Sequence, residues 1–222
     1  MPPGYYGANT DVERSVPDLD TFLDDLSSPA PVPGGGSAAA LSAAMGAALL
    51  AMVCNLTIGR KRYADVQAEV AGIRGRAMKL RDRARRLAQE DEDAYGRVAE
   101  AMKLPRDTDA ERERRTSAVQ QSLKEAAAPP LETMRVASEI LDLGRQLAGI
   151  GNRSAISDVG SAGYLAWAAF GSASLNVDIN VNAVDDEEWV ASTRASQSDL
   201  QRAESVFRDV QRVVAGTLGA GA

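Results

Sequence analysis

The sequence predicts an all-α protein built as a bundle of about six long helices. Two long stretches carry apolar residues at helical spacing, a capping box and several prolines delimit further helices, and almost no stretch alternates as a strand does. We expect residues 1–17 to form a flexible leader and residues 18–222 to form a single helical domain. Because helices of this length can bury apolar stripes against a symmetry mate, the pattern also favours a homodimer.

The first long helix follows the turn Pro33-Gly34-Gly35-Gly36-Ser37 and ends in a polar, cationic stretch, Asn55 to Tyr63, that includes Lys61. Glycines let the backbone approach a ligand, and the first amides of a helix have no intrahelical acceptors, so the turn can hold an anion. The run 37–58 is long enough to cross a membrane. Its many small residues and the absence of an aromatic belt instead favour a central helix that others approach on every side.

The next segment predicts one helix of about forty residues whose apolar residues step by four and three. Asp91 interrupts this seam, and Tyr95 follows it on the same face. A carboxylate on an apolar stripe costs desolvation unless it is paired or its pKa rises, and a raised pKa suits an acid–base group. Alternatively, Asp91 belongs to an acidic surface run, 90–93. The seam comprises Val66, Val70, Ile73, Ala77, Leu80, Ala84, Leu87, Asp91, Ala94, Val98 and Ala101.

Three further helices complete the predicted bundle. Pro105 ends the long helix, the capping box Thr108-x-x-Glu111 starts one that runs to about residue 127, and another covers about 131–147. After a break at 149–152, Ser154 or Ser157 is expected to cap a helix that reaches about residue 174.

Asp158 falls in the first turn of that helix, where the helix dipole alone would stabilise it. Residues 176–182 alternate Asn or Asp with Val or Ile, as in a short extended segment. The last helix is predicted over about 187–215, with a second apolar seam from Trp189 to Val214.

Composition excludes several classes of protein. A formal net charge of −6 argues against a general nucleic-acid binder. The chain has no histidine, so catalytic triads that need one are excluded and the commonest transition-metal ligand is missing; no metal site is predicted. The only cysteine, Cys54, lies in the apolar helix, where an inert buried thiol is favoured over a nucleophile. Without a basic and then apolar N-terminal segment, the chain is expected to be cytoplasmic.

Several blocks of sequence, in the same order, resemble the cyclodeaminase/cyclohydrolase family of tetrahydrofolate one-carbon enzymes. The resemblance covers about residues 20–215 and supports the family more strongly than any one reaction within it. The blocks are Pro33 to Ser37, Leu56 to Tyr63, Asp91 to Tyr95, Ala101 to Arg106, Gly151-Asn152 with Ser157-Asp158, and Asn176-Val177 with Ile179-Asn180.

The resemblance implies a folate substrate, no bound cofactor and a methenyltetrahydrofolate cyclohydrolase, because no segment remains to house the transferase that accompanies some cyclodeaminases. A stand-alone formiminotetrahydrofolate cyclodeaminase and a non-catalytic folate-binding dimer are the alternatives. The implied catalytic residues are Asp91, Lys61 and Asp158. The implied substrate-binding residues are Gly34, Gly35, Gly36, Ser37, Asn55, Tyr63, Tyr95, Asn152 and Asn180. Asparagines of this set would pair with the pterin edge or, alternatively, cap helices.

Overall fold

The structure, a computed structural model, describes residues 18–198, 200 and 202–219, so the predicted leader 1–17 lies outside the described residues. Two short 3-10 helices, Lys61–Val66 and Arg153–Ala155, accompany eight α-helices. Six of the α-helices have 17 residues or more, which confirms the predicted all-α bundle. The α-helices are α1 Leu19–Ser27, α2 Gly35–Thr57, α3 Gln67–Met102, α4 Asp109–Ala126, α5 Ala128–Ile150, α6 Ile156–Val181, α7 Glu187–Ser198 and α8 Ala203–Gly219.

Helices α2, α3, α5 and α6 form the core, and α8 covers α5 and α6. α2 and α3 are antiparallel, since Ser37 near the start of α2 contacts Asp91 in the second half of α3, whereas Asn55 contacts Arg74. α6 is also antiparallel to α2, because its second half lies against Gly35. The start of α2, the second half of α3 and the second half of α6 therefore meet at one end of the bundle.

The predicted seam of α3 is confirmed. Its apolar members are buried or packed against the core, and Asp91 among them is half-buried. The capping box is also confirmed: Thr108 Oγ1 accepts from the Glu111 N–H, and the Glu111 carboxylate accepts from the Thr108 N–H. Both features follow from local sequence rules, the helical period and the chemistry of the first turn.

The prediction that other helices surround α2 on every side is wrong. Its inner faces pack tightly, but an outer stripe is open, with Met45 54% and Met52 38% exposed. Among the described residues, α2 is the one helix long and apolar enough to span a membrane, and 56% of that stretch is buried inside the protein. Its apolar character is accounted for in part by the core.

Three expectations about the second half of the chain are also wrong. Residues 176–182 are not extended: α6 continues to Val181, since unbroken burial of its inner face outweighs the low helix propensity of Asn and Val. The predicted last helix is two helices, α7, which ends at Ser198, and α8, which begins at Ala203. Neither Ser154 nor Ser157 caps α6; instead Asn152 Oδ1 accepts from the Ser154 N–H, one short helix earlier.

The start of α5 differs from the prediction, and one short helix was not predicted at all. α5 begins at Ala128, so Pro129 and Pro130 lie in its first turn, where the missing proline N–H costs nothing. Helix α1 was not predicted, although Asp18 caps it by accepting from the Thr21 N–H. Only Phe22 of α1 is buried, although Leu19, Phe22, Leu23 and Leu26 repeat at helical spacing and, with the cap, were the available signal.

Candidate active site

Asp91 lies directly over the backbone of Gly36, at the start of α2. A Cβ atom on residue 36 would lie 2.5 Å from Cγ and Oδ2 of Asp91, a distance that side chains do not adopt. Only glycine therefore allows the carboxylate to reach this position. Gly34, the N-cap residue, offers no side-chain cap, and the first intrahelical bond of α2 is that of the Ala38 N–H. The amides before it have no intrahelical acceptor, and that of Ser37 donates to the Asp91 carboxylate.

Ser37 is fully buried behind Asp91. Its hydroxyl lies 3.2 Å from the Ala88 carbonyl oxygen and 3.4 Å from Asp91 Oδ2. Burial raises the pKa of Asp91 above its ordinary value, while hydrogen bonds from the hydroxyl and backbone N–H of Ser37 partly oppose the rise. A half-buried carboxylate with a raised pKa is suited to accept and return a proton.

Helix α6 supplies amides to the same place. Ser172 Oγ donates to the Gly35 carbonyl oxygen at 3.3 Å, and a Cβ on Gly35 would lie 3.4 Å from the Asn176 Nδ2 atom. The Asn176 and Asn180 amide groups donate to the Ser172 and Asn176 carbonyl oxygens, at 2.9 and 2.8 Å. The side-chain oxygens of both asparagines remain as acceptors for a ligand. Since α6 is helical here, Asp178 and Asn182 face elsewhere and bind Arg194 of α7.

Glu92 is a member of the site that the sequence analysis did not single out. It is half-buried, and burial raises the pKa of its carboxyl group; the Ser37 hydroxyl opposes the rise, and Asp91, Asp93 and Asp25 add to it. Because Glu92 lies within an acidic run, the sequence pattern grouped it with surface residues. Its place one residue after the seam position 91 was the available signal. Ser172, one turn before Asn176 on α6, was missed in the same way.

The other predicted residues lie at the far end of α2. The Asn152 N–H donates to Thr57 Oγ1 at 2.9 Å, and its side-chain amide donates to the Leu56 carbonyl oxygen at 3.0 Å. Tyr63 Oη accepts from the Arg153 N–H at 3.1 Å, and Asn55 accepts from Arg74. These contacts join the loop before α6 to the end of α2, so three of the predicted ligand-binding residues also make structural contacts within the subunit.

The structure thus separates the predicted catalytic residues. Asp91 stands at one end of α2, whereas Lys61, exposed in the first 3-10 helix, and Asp158, in the first turn of α6, stand at the other. A helix of 23 residues places its ends about 33 Å apart. Tyr95 is 43% exposed and lies one turn beyond Asp91. One subunit therefore joins Gly34, Gly35, Gly36, Ser37, Asp91 and Asn180, and does not join Lys61 or Asp158 to them.

The thiol of Cys54 is outside this site. It is fully buried in α2, as expected, and burial raises its pKa to about 11. The described residues contain no group of three or more Cys, Asp or Glu side chains arranged to hold a metal ion. The acid–base groups that the site offers are carboxylates, with serine and asparagine as hydrogen-bonding partners.

Comparisons with known proteins identify the family of the chain. The chain is 45% identical over 171 residues to the methenyltetrahydrofolate cyclohydrolase of Methylorubrum extorquens, an alignment that covers 77% of this chain and 82% of that protein. It is 34% identical over 191 residues to the formimidoyltransferase-cyclodeaminase of Rattus norvegicus, covering 85% of this chain and 35% of the relative. The chain therefore spans about a third of the length of that bifunctional relative.

A solved structure shares the whole fold. The crystal structure of formiminotetrahydrofolate cyclodeaminase from Thermotoga maritima matches with a TM-score of 0.83 and 29% identity, covering 93% of this chain and 98% of that one. A family model described as formiminotransferase-cyclodeaminase matches residues 18–199, most of the chain. The chain belongs to the formiminotransferase-cyclodeaminase family.

Proposed function

We propose that the protein is a methenyltetrahydrofolate cyclohydrolase, which adds water to the 5,10-methenyl bridge and releases 10-formyltetrahydrofolate. The observation that carries this proposal is the 45% identity, over most of both chains, to a cyclohydrolase. The bifunctional cyclodeaminase of rat and the cyclodeaminase of known structure are 34% and 29% identical. The half-buried carboxylate of Asp91, in a chain without histidine, supplies the acid–base group that the reaction needs.

Asp91 can carry the central proton transfer by itself. As a water molecule attacks the methenyl carbon, one of its protons passes to the Asp91 carboxylate and a neutral carbinolamine forms. The C–N5 bond then breaks, N5 takes the proton back from Asp91, and the hydroxyl proton of the carbinolamine leaves to solvent. The carboxylate also stabilises the cationic substrate, and the start of α2 keeps that carboxylate in place.

The Asn176 and Asn180 oxygens are the groups we assign to the donor edge of the pterin ring. Asn176 lies beside Gly35, and Asn180 lies one turn further along α6, where its amide donates to the Asn176 carbonyl oxygen. Lys61 would act as an anion clamp or proton donor, and Asp158 would orient water or pterin, only if a second subunit brings them near Asp91.

An open apolar surface offers a place for that second subunit. The outer stripe of α2 carries Met45, Met52 and Leu56, which are 54%, 38% and 38% exposed, and has no charged residue. Toward the start of α2, Leu175 and Ile179 of α6 are each 70% exposed as well. Large exposed apolar patches mark interaction surfaces, so we propose that this face packs against its own copy in a homodimer.

A twofold axis perpendicular to α2 and through the middle of that helix would place the two α2 helices antiparallel. The end of α2 that precedes Lys61 in one subunit would then lie beside the start of α2 in the partner, where Asp91 stands. This arrangement removes the separation of about 33 Å between the two groups of predicted residues. The site would then be completed by two subunits.

A paired assay tests the proposal. Loss of the near-ultraviolet absorbance of methenyltetrahydrofolate measures the cyclohydrolase reaction, and ammonia release from formiminotetrahydrofolate measures the alternative. We expect turnover in the first assay. Turnover in the second alone would identify a stand-alone cyclodeaminase, which the full-length match to the Thermotoga maritima structure favours. Tight folate binding without turnover in either assay would identify a non-catalytic binding protein.

A further inference from the structure

We infer that Ser37 is a positioning residue for Asp91, and that its one hydroxyl proton turns between two acceptors as Asp91 gains and loses a proton. The inference rests on the proposed function, in which Asp91 exchanges a proton with the substrate. It differs from the role that the sequence implied for Ser37, which was direct contact with substrate. Because Ser37 is fully buried behind the carboxylate, it acts through Asp91.

The Ser37 hydroxyl also acts on the Glu92 carboxylate, but the two acceptors within hydrogen-bond distance of its oxygen are Ala88 and Asp91, at nearly equal distances. Ser37 Oγ is 3.2 Å from the Ala88 carbonyl oxygen and 3.4 Å from Asp91 Oδ2, and a hydroxyl has a single proton to donate. When Asp91 is ionised, the proton points to Oδ2 and stabilises the negative charge. When Asp91 is protonated on Oδ2, the carboxylic acid donates to Oγ, and Ser37 turns its own proton to Ala88.

Every polar atom keeps a partner in both states, and no heavy atom has to move. This matters because an unsatisfied buried donor or acceptor costs free energy, so a fixed donor in place of Ser37 would favour one protonation state of Asp91. A hydroxyl that turns about its Cβ–Oγ bond serves both states. This arrangement also requires Gly36, since only the absence of a side chain there lets the Asp91 carboxylate come this close to the first turn of α2.

Among the residues that the structure describes, no cation lowers the pKa of Asp91 in place of Ser37. The polar groups that α6 turns to the start of α2 are neutral ones, Ser172 and Asn176. Many charges around this part of α3 are negative, and two of its arginines, Arg83 and Arg97, are paired with Glu90 and Glu125. The charged groups are Arg83, Glu90, Glu92, Asp93 and Arg97 on α3, Asp25 on α1, Glu125 on α4 and Glu132 on α5.

The test compares Ser37→Ala with Ser42→Ala. Ser42 lies on the same helix and donates to the Leu165 carbonyl oxygen at 2.9 Å, so its removal deletes a hydroxyl-to-carbonyl bond that does not involve Asp91. Two readouts are taken on each full-length protein: the pH dependence of kcat/KM, and the titration of the Asp91 carboxyl carbon by ¹³C NMR. The Asp91 signal is assigned by its absence from Asp91→Asn.

In Ser37→Ala we expect the carboxyl titration and the acidic limb of kcat/KM to move together to higher pH. The loss of activity should therefore be greatest on the acidic side. Ser37→Cys retains a weak donor and should show a smaller shift in the same direction; it also serves if the alanine variant does not fold. Ser42→Ala should leave both curves unchanged.

An unmoved Asp91 titration in folded Ser37→Ala or Ser37→Cys would overturn the inference. If the titration moves but the kcat/KM profile does not follow, the hydrogen bond to Asp91 is supported. Asp91 would then not be the group that exchanges a proton with the substrate, and the proposed mechanism would fail. The two failures are therefore distinguishable.

Discussion

Asp91 is held in place at a cost to the folded state. Burial raises its pKa, which means that the folded protein binds the carboxyl proton more tightly than the unfolded chain does. The stabilising contribution of the carboxyl group is therefore complete at acidic pH and is lost as pH rises from the ordinary carboxyl range through the raised pKa. At neutral pH the ionised side chain of Asp91 lowers the stability of the folded protein. A function explains the presence of this carboxylate better than packing does.

Asp91→Asn is expected to fold with unchanged or slightly increased thermal stability at neutral pH, and to lose about 100-fold or more of its turnover, because it can neither accept a proton nor carry charge. Wild-type turnover should fall as pH drops through the raised pKa of Asp91, since only the carboxylate accepts a proton. Thermal melting and pH–rate profiles check both statements.

Asp93→Asn is the matched control for this variant. Asp93 belongs to the same acidic run but is exposed and bonds only to Gln89 among the described side chains, so its removal should leave turnover unchanged. Wild-type turnover in a folded Asp91→Asn protein would remove Asp91 from the mechanism.

Gly36→Ala should displace the Asp91 carboxylate, because a Cβ atom at residue 36 has no room beside it. We expect turnover to fall by about tenfold or more, since misplaced acid–base groups lose most of their effect. Gly75→Ala provides the control: a Cβ there meets nothing within 4 Å, and alanine in an exposed helix should stabilise the protein slightly. Equal turnover in both variants would show that the close approach of Asp91 to α2 is not needed.

At the scale of elements, one side chain joins the end of α2 to the start of α6. Thr57 is fully buried; its hydroxyl donates to the Val53 carbonyl oxygen at 2.7 Å and accepts from the Asn152 N–H at 2.9 Å. No local sequence pattern predicts this contact, because Thr57 and Asn152 are far apart in sequence. It fixes the loop that carries Arg153 and leads to Asp158.

Thr57→Val keeps the shape of the side chain but leaves the Asn152 N–H without its acceptor. We expect the free energy of unfolding to fall by about 1–3 kcal/mol, the usual cost of an unsatisfied buried donor. Thr133→Val is the control, since buried Thr133 makes only the bond to the Pro129 carbonyl oxygen one turn earlier. Denaturant unfolding of both variants measures the difference, and equal losses would contradict a special role for Thr57.

The elements that sequence predicted well are those governed by local rules. The α3 seam and the Thr108–Glu111 capping box depend on residues within a few positions of each other. The extension of α6 through 176–182 depends instead on tertiary burial of Val177 and Val181, which outweighs local propensity. Likewise, Asp91 could be predicted from its seam position, whereas its contact with Gly36 required two distant segments to meet.

At the scale of the whole molecule, composition restricts the chemistry. The chain has no histidine and a single, buried cysteine, so a zinc site of the usual kind is not available from its own residues. The proposed substrate carries a cationic methenyl carbon that is already electrophilic. We therefore expect turnover to survive exhaustive treatment with EDTA. Loss of turnover on chelation, with recovery on adding magnesium or zinc, would require a different mechanism and a different role for Asp91.

The proposed dimer leads to a quantitative test of shared sites. Asp91→Asn chains and Lys61→Ala chains should each be almost inactive alone. If each site takes Asp91 from one subunit and Lys61 from its partner, every heterodimer has one intact site and one doubly altered site. Random mixing makes half of the dimers heterodimers, so activity should recover to about 25% of wild type.

A second mixture tests the same arrangement with the opposite expected result. Wild-type chains mixed with chains that carry both changes should form inactive heterodimers, because each site then has one altered residue. If sites lie within single subunits, these heterodimers would instead keep one intact site, and the first mixture would show no recovery. Differently tagged chains establish that heterodimers are present. The two mixtures thus give opposite results for shared and separate sites, and an antiparallel pairing of the α2 stripes predicts the shared pattern.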